Sequence, residues 1–210
     1  MSARTVVVDY GIGNVFSVCN ALRASGIDAE LTGSLSAVRD ADRVILPGVG
    51  AFARAMDALN EKGLSDTLRR YVDTGRPFLG ICIGMQVLME RSEEFGEHAG
   101  LGFVPGSVER IPDTASNGDH LRVPHIGWAP LHGSKSWEET SLSDVADAAV
   151  YFVHSYHCVP NDPTHRIAHA DYGGRKITAA IRQENIFGVQ FHPERSGDAG
   201  QKVLRAFTAL

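Results

Sequence analysis

Hydrophobic and polar positions along the first half of the chain switch repeatedly between strand spacing and helix spacing. Short apolar runs indicate strands, namely TVVVDYG, DAELTG, RVILPGVG and PFLGICI. Segments with helical spacing and a glycine stop lie between them, namely NVFSVCNALRASG, AFARAMDALNEKG and LSDTLRRYVDTG. This alternation predicts an α/β fold with a mainly parallel sheet and helices on both faces. Ligands gather at the carboxyl ends of such strands, where the chain carries DYGIGN, LPGVG and GICIG.

The pattern changes from about Gly100 onward, where short strand-like runs are separated by polar loops. The runs are GFVPGSVERI, HIGWAPL, AVYFVHSYH, RIAHADYG, KITAAIR and IFGVQFH, and they predict added, largely antiparallel strands. PDTASNGDH and GSKSWEETSLSDVADA are predicted surface loops, and GDAGQKVLRAFTAL is a predicted closing helix. Because the chain contains no repeat or linker, we expect one domain over residues 1–210.

Composition narrows the classes of function. Hydrophobic residues make up 43% and charged residues 21%, with a net charge of -5 and no basic stripe. This profile is typical of a soluble globular protein. Because the chain has no basic stripe, we expect that it does not bind nucleic acid. Three cysteines without a CxxC motif indicate a reducing compartment and no structural zinc. Without a signal peptide or an apolar run of ~18 residues, we expect a cytoplasmic protein that binds no membrane.

The segment FLGICIGMQVL places Cys82 where a strand ends and a helix is predicted over 85–90. Gly80 and Gly84 allow close backbone approach, and the spacing G-x-C-x-G is typical of a nucleophile elbow. A helix that begins behind the sulfur would favour the thiolate. The same residues are compatible with a core strand followed by a glycine turn, since cysteine is often buried. This stretch alone leaves both interpretations open.

VQFHPERS contains the partners that a cysteine nucleophile needs. His192 can act as the base and Glu194 can orient its imidazole, because residues two apart in an extended segment point the same way. A chance His and Glu at an exposed strand end is the alternative, but the combination with the cysteine elbow is much more specific. LPGVGAF can present backbone N–H groups that, with the N–H of Ile83, form an oxyanion hole. Spacing alone favours a plain strand-to-helix turn for this loop.

Four other features carry weaker signals. DYGIGN fails the G-x-G-x-x-G pattern because position 16 is Phe, so we interpret it as a structural turn or a partner surface. His154 and His157 lack a surrounding ligand set and are predicted strand-end histidines, not a metal site. Trp128 and Trp137 are predicted packing residues, and Cys19 is a predicted inert core residue.

Together these motifs resemble the class I, or triad, glutamine amidotransferases over essentially the full length. The resemblance is carried by DYGIGN after the first strand, LPGVGAFARAM, GICIGMQ, VHSYH and FHPERS. It narrows to the glutaminase subunits of imidazole glycerol phosphate synthase, because other amidotransferase subunits differ more in the first two motifs. Two positions depart from that pattern: Arg195 stands where lysine is usual, and Ala129 stands where asparagine is frequent.

The resemblance implies a flavodoxin-like fold that hydrolyses L-glutamine to glutamate and ammonia without a metal or cofactor. It also implies a heterodimer, in which ammonia passes to a (β/α)8-barrel cyclase that makes imidazole glycerol phosphate and aminoimidazole carboxamide ribotide in histidine biosynthesis. Cys82 is then the nucleophile, His192 the acid/base and Glu194 the orienting residue. The implied oxyanion hole comprises Gly48, Val49, Gly50 and Ile83. The implied glutamine contacts are Gly50, Gln86, Ser155 and Tyr156, and the implied partner contacts are Asn14, Trp128, Tyr151 and Arg195.

Other functions stay open at this point. The chain could be the glutaminase subunit of another amidotransferase, or a cysteine hydrolase or peptidase that acts alone on a similar fold. A non-enzymatic binding module is the third alternative, and the intact set of Cys82, His192 and Glu194 argues against it.

Overall fold

The computed structural model describes residues 3–133, 140 and 143–210, so Trp137 lies outside the described residues. The strands in the described part are β1 (Thr5–Val8), β2 (Ala29–Thr32), β3 (Arg43–Gly48), β4 (Phe78–Cys82), β5 (Met89–Ser92), β6 (His98–Ala99), β7 (Val104–Arg110), β8 (His125–Pro130), β9 (His132–Gly133), β10 (Ala149–His154), β11 (Tyr156–Pro160), β12 (Arg166–Tyr172), β13 (Arg175–Gln183) and β14 (Ile186–Val189). The α-helices described are α1 (Val15–Ala24), α2 (Leu35–Arg39), α3 (Phe52–Glu61), α4 (Leu64–Val72), α5 (Ile83–Gln86) and α6 (Gly197–Thr208). None of these helices is long and apolar enough to cross a membrane.

The main sheet confirms the predicted α/β architecture. Within the described residues it has eight strands in the order β2-β1-β3-β4-β14-β13-β12-β9. The pairs from β2 to β14 are parallel, and the pairs from β14 to β9 are antiparallel. β14 therefore joins the two halves of the chain, because it pairs with β4 on one side and with β13 on the other.

The core follows from the sequence pattern of these elements. Every residue of β1 and β4 is buried, as expected for parallel strands that are covered on both faces. In α3 the buried residues Phe52, Ala55, Met56 and Leu59 recur at helical spacing and form the stripe that joins the core. One buried cluster extends from Val6 to Phe207, which supports our proposal of a single domain over residues 1–210.

Two smaller sheets lie outside the main one, with strand orders β11-β7-β5-β6 and β10-β8 in the part of the chain described. AVYFVHSYH is therefore not one strand, because it divides at Ser155 into β10 and β11 of different sheets. The segment SLSAVRD contains the unpredicted α2, whose first turn is capped by the Ser34 hydroxyl, which accepts from the Ala37 N–H. Of the long loop GSKSWEETSLSDVADA, the residues described include one 3₁₀ turn at Ser143–Val145.

The predicted helix over 85–90 is wrong, because α5 ends at Gln86 and β5 begins at Met89. The backbone carbonyls of this segment accept hydrogen bonds from a later loop: Val87 O from Leu101 N at 2.8 Å and Leu88 O from Val104 N at 3.0 Å. These long-range hydrogen bonds, with the pairing of β5 to β7, hold the segment after Gln86 in a non-helical conformation. Tertiary pairing here outweighs the helix propensity of the side chains.

Candidate active site

Cys82 lies at the last position of β4, on a sharp turn into α5. Its φ of 56° and ψ of -113° lie outside the regions that a non-glycine residue favours, as is common at functional turns. Gly84 permits the turn, because a Cβ there would collide with the carbonyl oxygen of Leu46 on β3. The strand-to-helix turn is present as predicted, but α5 has four residues and contributes a smaller helix dipole than expected.

His192 and Glu194 form a direct hydrogen bond after β14. The imidazole Nδ1–H donates to Glu194 Oε1 at 2.8 Å, and the two side chains are 6% and 1% exposed. The predicted extended geometry is wrong, because Pro193–Arg195 forms a 3₁₀ turn that brings the carboxylate back under the ring. Nδ1 is therefore the protonated nitrogen, which leaves Nε2 for the reacting atoms.

The backbone of His192 is hydrogen-bonded to Tyr151 on β10, directly through its N–H and through Ser196 at its carbonyl. His192 N donates to Tyr151 O at 3.0 Å, and Ser196 Oγ donates to His192 O at 2.7 Å. The same Ser196 hydroxyl accepts from Tyr151 N at 3.0 Å. These bonds connect the candidate base to a strand outside the main sheet.

The Nε2 atom of His192 is buried and makes no hydrogen bond to any residue that the structure describes. Burial acts to lower the pKa of His192, but the hydrogen bond to Glu194 and the electrostatic interactions with Cys82 and Glu194 outweigh it and raise this pKa to about 10. His192 therefore interacts with both other members of the predicted triad. This arrangement favours an imidazolium that can donate a proton to a leaving group.

A cavity of about 310 Å³ opens in front of Cys82 and His192. This volume suits a small ligand. The residues that line it include every predicted glutamine contact, namely Gly50, Gln86, Ser155 and Tyr156. Val49 and Ile83 of the predicted oxyanion hole also line the cavity. Gly48 is not in the lining, but it lies beside Cys82 in the β3–β4 register.

Three residues at this site carried no predicted site role, two in the cavity wall and one behind the sulfur. Glu94 lines the cavity, and its carboxylate accepts a hydrogen bond from the backbone N–H of Phe52 at the start of α3. His154 also lines it, donates from Nδ1 to the Tyr156 carbonyl at 2.8 Å, and has a pKa that burial lowers to about 3. Gln190 is fully buried behind the sulfur, and its Nε2 donates to Cys82 Sγ at 3.8 Å.

Comparison with known proteins agrees with this geometry. The profile of the family described as "Glutamine amidotransferase class-I" matches residues 6–209. An imidazole glycerol phosphate synthase subunit HisH from Syntrophotalea carbinolica is 43% identical over 203 residues, covering 96% of this chain and 98% of the relative. The chain is a class-I glutamine amidotransferase of the HisH family.

A plant relative and a solved structure extend the comparison. The chloroplastic imidazole glycerol phosphate synthase hisHF of Arabidopsis thaliana is 46% identical over 202 residues, which cover 96% of this chain and 33% of the relative. A crystal structure of a glutamine amidotransferase has a TM-score of 0.74 at 19% identity, covering 98% of this chain and 99% of the other. The second match shows the shared fold and confirms the class I amidotransferase architecture.

The predicted partner contacts of this amidotransferase lie mostly on one exposed surface. Trp128 is 58% exposed, so the expectation that it packs in the core is wrong. It is exposed because β8 pairs with β10 alone among the described strands, and its side chain lies on the outer face of that pair. The Trp128 ring lies 6.0 Å from the Tyr151 ring, and the Arg195 guanidinium stacks 4.2 Å from the same Tyr151 ring. Asn14 is also exposed, at the beginning of α1.

The remaining cysteines and histidines differ in their surroundings. Cys158 is fully buried, and burial raises the pKa of its thiol, while Cys19 is half-buried against the core. His154 and His157 lie on β10 and β11, as predicted for strand-end histidines. No group of three or more metal-ligating side chains that could hold an ion occurs among the described residues.

Proposed function

We propose that this chain is the glutaminase subunit of an imidazole glycerol phosphate synthase, and that it hydrolyses L-glutamine to glutamate and ammonia. The observation that carries the proposal is the His192–Glu194 hydrogen bond of 2.8 Å, which lies beside Cys82 in a cavity lined by all four expected glutamine contacts. The HisH relatives support the assignment to histidine biosynthesis.

The chemistry proceeds through a covalent thioester. The Cys82 sulfur attacks the carbon of the glutamine side-chain amide, and backbone N–H groups of Ile83 and the Val49–Gly50 loop stabilise the oxyanion that forms. The His192 imidazolium gives its proton to the departing nitrogen, which leaves as ammonia. The neutral imidazole then takes a proton from water as the water attacks the thioester, and glutamate and the Cys82 thiolate are released.

Selection of glutamine follows from the charges and size of the cavity. A free amino acid carries an α-ammonium group, and the Glu94 carboxylate in the cavity wall is suited to accept its hydrogen bonds. A glutamine acylated at its α-amino group would lack this positive charge, and a longer peptide would exceed the space of about 310 Å³. The cavity therefore favours the free amino acid over a peptide.

The oxyanion loop provides a means of control. Gly50 has a φ of +94°, and an added Cβ would meet no atom within 4 Å, so the backbone and not space requires glycine there. Val49 beside it is 40% exposed. Rotation of one peptide in this loop would replace an N–H by a carbonyl, and loss of one oxyanion donor typically costs ~100- to 1,000-fold in rate.

We propose that a (β/α)8-barrel cyclase subunit docks on the exposed surface and biases this loop toward its active form. The surface carries large exposed apolar side chains, with Phe16 72%, Ile126 60% and Trp128 58% exposed. Large apolar and aromatic side chains in the open are typical of protein interfaces. The Arabidopsis relative named hisHF is long enough to contain a second module, which is consistent with such a partner.

The test is steady-state release of glutamate from three samples: the chain alone, the chain with a barrel cyclase, and that complex with the nucleotide ligand of the cyclase. We expect the rate to rise at each step. Cys82→Ser in the complex is the matched control for background hydrolysis. Equal rates in all three samples would favour a hydrolase that acts alone, and absence of glutaminase activity in the full complex would overturn the proposed function.

A further inference from the structure

Gln190 is a buried polar residue that the proposed reaction does not use. It follows β14 directly, two positions before His192, and none of its surface is exposed. Burying an amide is costly unless its donors and acceptor are paired. Gln190 pairs both ends of its side chain, with Oε1 accepting from Gln86 Nε2 at 3.0 Å and Nε2 donating to Cys82 Sγ at 3.8 Å.

The direction of this chain of hydrogen bonds is determined at its far end. The backbone carbonyl of Tyr156 can only accept, and it receives Gln86 Nε2 at 3.0 Å. Gln86 therefore turns its NH₂ group toward both Tyr156 and Gln190. Gln190 must in turn present its oxygen to Gln86, which leaves its own NH₂ group facing the sulfur.

The Tyr156 carbonyl is itself held in place by a second donor. His154 Nδ1 donates to it at 2.8 Å. Gln86 and Tyr156 also line the cavity proposed to hold glutamine. The chain of hydrogen bonds thus runs from the cavity wall to the back of the nucleophile, on residues that are separated by up to 108 positions in sequence.

We propose that Gln190 is a positioning residue whose amide N–H holds the Cys82 sulfur and favours its thiolate, with its orientation imposed by Gln86 and the Tyr156 carbonyl. A donor aimed at sulfur stabilises the anion more than the neutral thiol, because hydrogen bonds to charged acceptors are the stronger ones. We call this set of three residues the amide relay. The inference rests on the proposed function only in taking Cys82 as the nucleophile.

Other titratable groups also face the sulfur. His192 interacts with it directly, with Glu194 behind the imidazole. Tyr10 and Cys158 have pKa values that burial raises, with a smaller contribution from the charge of Cys82, so both stay neutral near pH 7. His154 is neutral in the same range because burial lowers its pKa to about 3. Among the described residues, the charged side chains at the cavity are therefore Glu94 and the His192–Glu194 pair, and these are the same in every relay variant.

The test is the pH dependence of Cys82 alkylation by iodoacetamide, followed on the Cys82 peptide by mass spectrometry so that Cys19 does not interfere. Gln190→Met keeps the length of the side chain and removes the donor. We expect the pH of half-maximal alkylation rate to rise by about one unit. Gln86→Met frees the Gln190 amide to rotate and is expected to shift the midpoint in the same direction by less.

Gln183→Met is the matched control, because Gln183 lies on the adjacent β13 and pairs with Ile186 at the opposite end of β14. We expect its midpoint to equal that of the unchanged chain. A purely structural role for Gln190 would lower the alkylation rate at every pH without moving the midpoint, and that result would overturn the relay. If Gln190→Met does not fold, Gln86→Met decides, and an unchanged midpoint there overturns the proposal.

Alkylation requires neither glutamine nor a cyclase, so the two proposals can fail separately. A shifted midpoint in a chain that releases no glutamate with any cyclase would retain the relay and overturn the proposed function. An unshifted midpoint in an active glutaminase would overturn the relay and retain the proposed function.

Discussion

The wall of the cavity and the exposed face beside it differ in how completely their side chains are partnered. Cys82 and His192 are both buried, and Glu194 is hydrogen-bonded beneath the imidazole. The exposed face is the surface on which we propose that the cyclase docks, and there Phe16, Ile126 and Trp128 are each more than half exposed to solvent. The proposed reacting groups are thus in place within one chain, whereas the face is apolar surface that a partner would cover. In our proposal, glutamine hydrolysis therefore takes place at the cavity, and its activation by the partner begins at the exposed face.

The assignment of the reaction to the cavity is tested most directly at Cys82, the proposed nucleophile. Cys82→Ser should abolish glutamine hydrolysis while leaving the fold intact, because the hydroxyl is a far weaker nucleophile than the thiolate. An electrophilic analogue of glutamine should label Cys82 and neither Cys19 nor Cys158 in the unchanged chain. Peptide mapping by mass spectrometry measures the site, and labelling at Cys158 would remove Cys82 from the mechanism.

The two other triad residues should differ in size of effect. His192→Ala should lower the rate of glutamate release by about 100- to 10,000-fold, as expected for loss of a general acid–base group. Glu194→Ala should cost less, because Glu194 orients the imidazole and transfers no proton. The rates are compared in the complex with the cyclase, and near-normal turnover of His192→Ala would contradict the assigned base.

Substitution on the exposed face should affect association. Trp128→Ala should weaken binding to the cyclase by about 30-fold or more, since buried interface tryptophans often contribute ~2 kcal/mol or more. Leu35→Ala is the matched control, because Leu35 is also an exposed apolar residue, 43% exposed, but lies on α2. Affinities come from titration calorimetry. Equal affinities for both variants would place the interface elsewhere.

Local patterns predicted much of this architecture. The β-branched run of β1, the glycine spacing at the elbow and the helical stripe of α3 each determine their structure within a few residues. The predicted α/β sheet and the turn at Cys82 are therefore present in the structure. The contact between His192 and Glu194 was also predictable, because it lies within one short motif.

What the sequence did not show depends on contacts between distant segments. Gln190 reaches Cys82 across 108 positions, and Phe52 reaches Glu94 across 42. No local pattern distinguishes Glu94 from its exposed neighbour Glu93. α5 ends early for the same reason, because the carbonyls of Val87 and Leu88 that follow it accept hydrogen bonds from Leu101 and Val104. The spacing of residues along the sequence does not predict which distant segments will contact each other.

The region beside the cavity should also be sensitive to acid, because it contains His125, whose ring lies 5.3 Å from that of the cavity residue His154. His125 stacks on Phe152 at 5.0 Å and on Tyr172 at 4.1 Å, and burial lowers its pKa to about 4 from an ordinary 6.5. The unfolded chain therefore takes up a proton before the native one, so stability falls as the pH drops from 6.5 toward about 4.

His125→Phe keeps an aromatic ring and removes the proton site. Relative to the unchanged chain, its free energy of unfolding should improve by on the order of 2 kcal/mol between pH 7 and pH 4.5, measured by urea denaturation. The exposed His120→Phe is the control, and we expect no such pH-dependent gain from it. A constant difference at all pH values would show that burial of His125 is not linked to protonation.

The smallest effect is expected within the triad, from replacing Glu194 by an uncharged residue of the same shape. The pKa of His192 is raised to about 10, so its contribution to stability is fully present below pH 6.5 and is lost as the pH rises to about 10. Glu194→Gln removes one of the two charged partners and should lower that pKa. The difference in free energy of unfolding between the two proteins should therefore be largest below pH 6.5 and shrink by about 1 kcal/mol toward pH 10.

The same two proteins compared in a Cys82→Ser background, where the sulfur contributes no charge, isolate the part of this difference that belongs to the Glu194 carboxylate. A difference that stays flat from pH 6 to pH 10 in both backgrounds would mean that the His192–Glu194 pair is neutral, and the proton donated to ammonia would then have to come from another group.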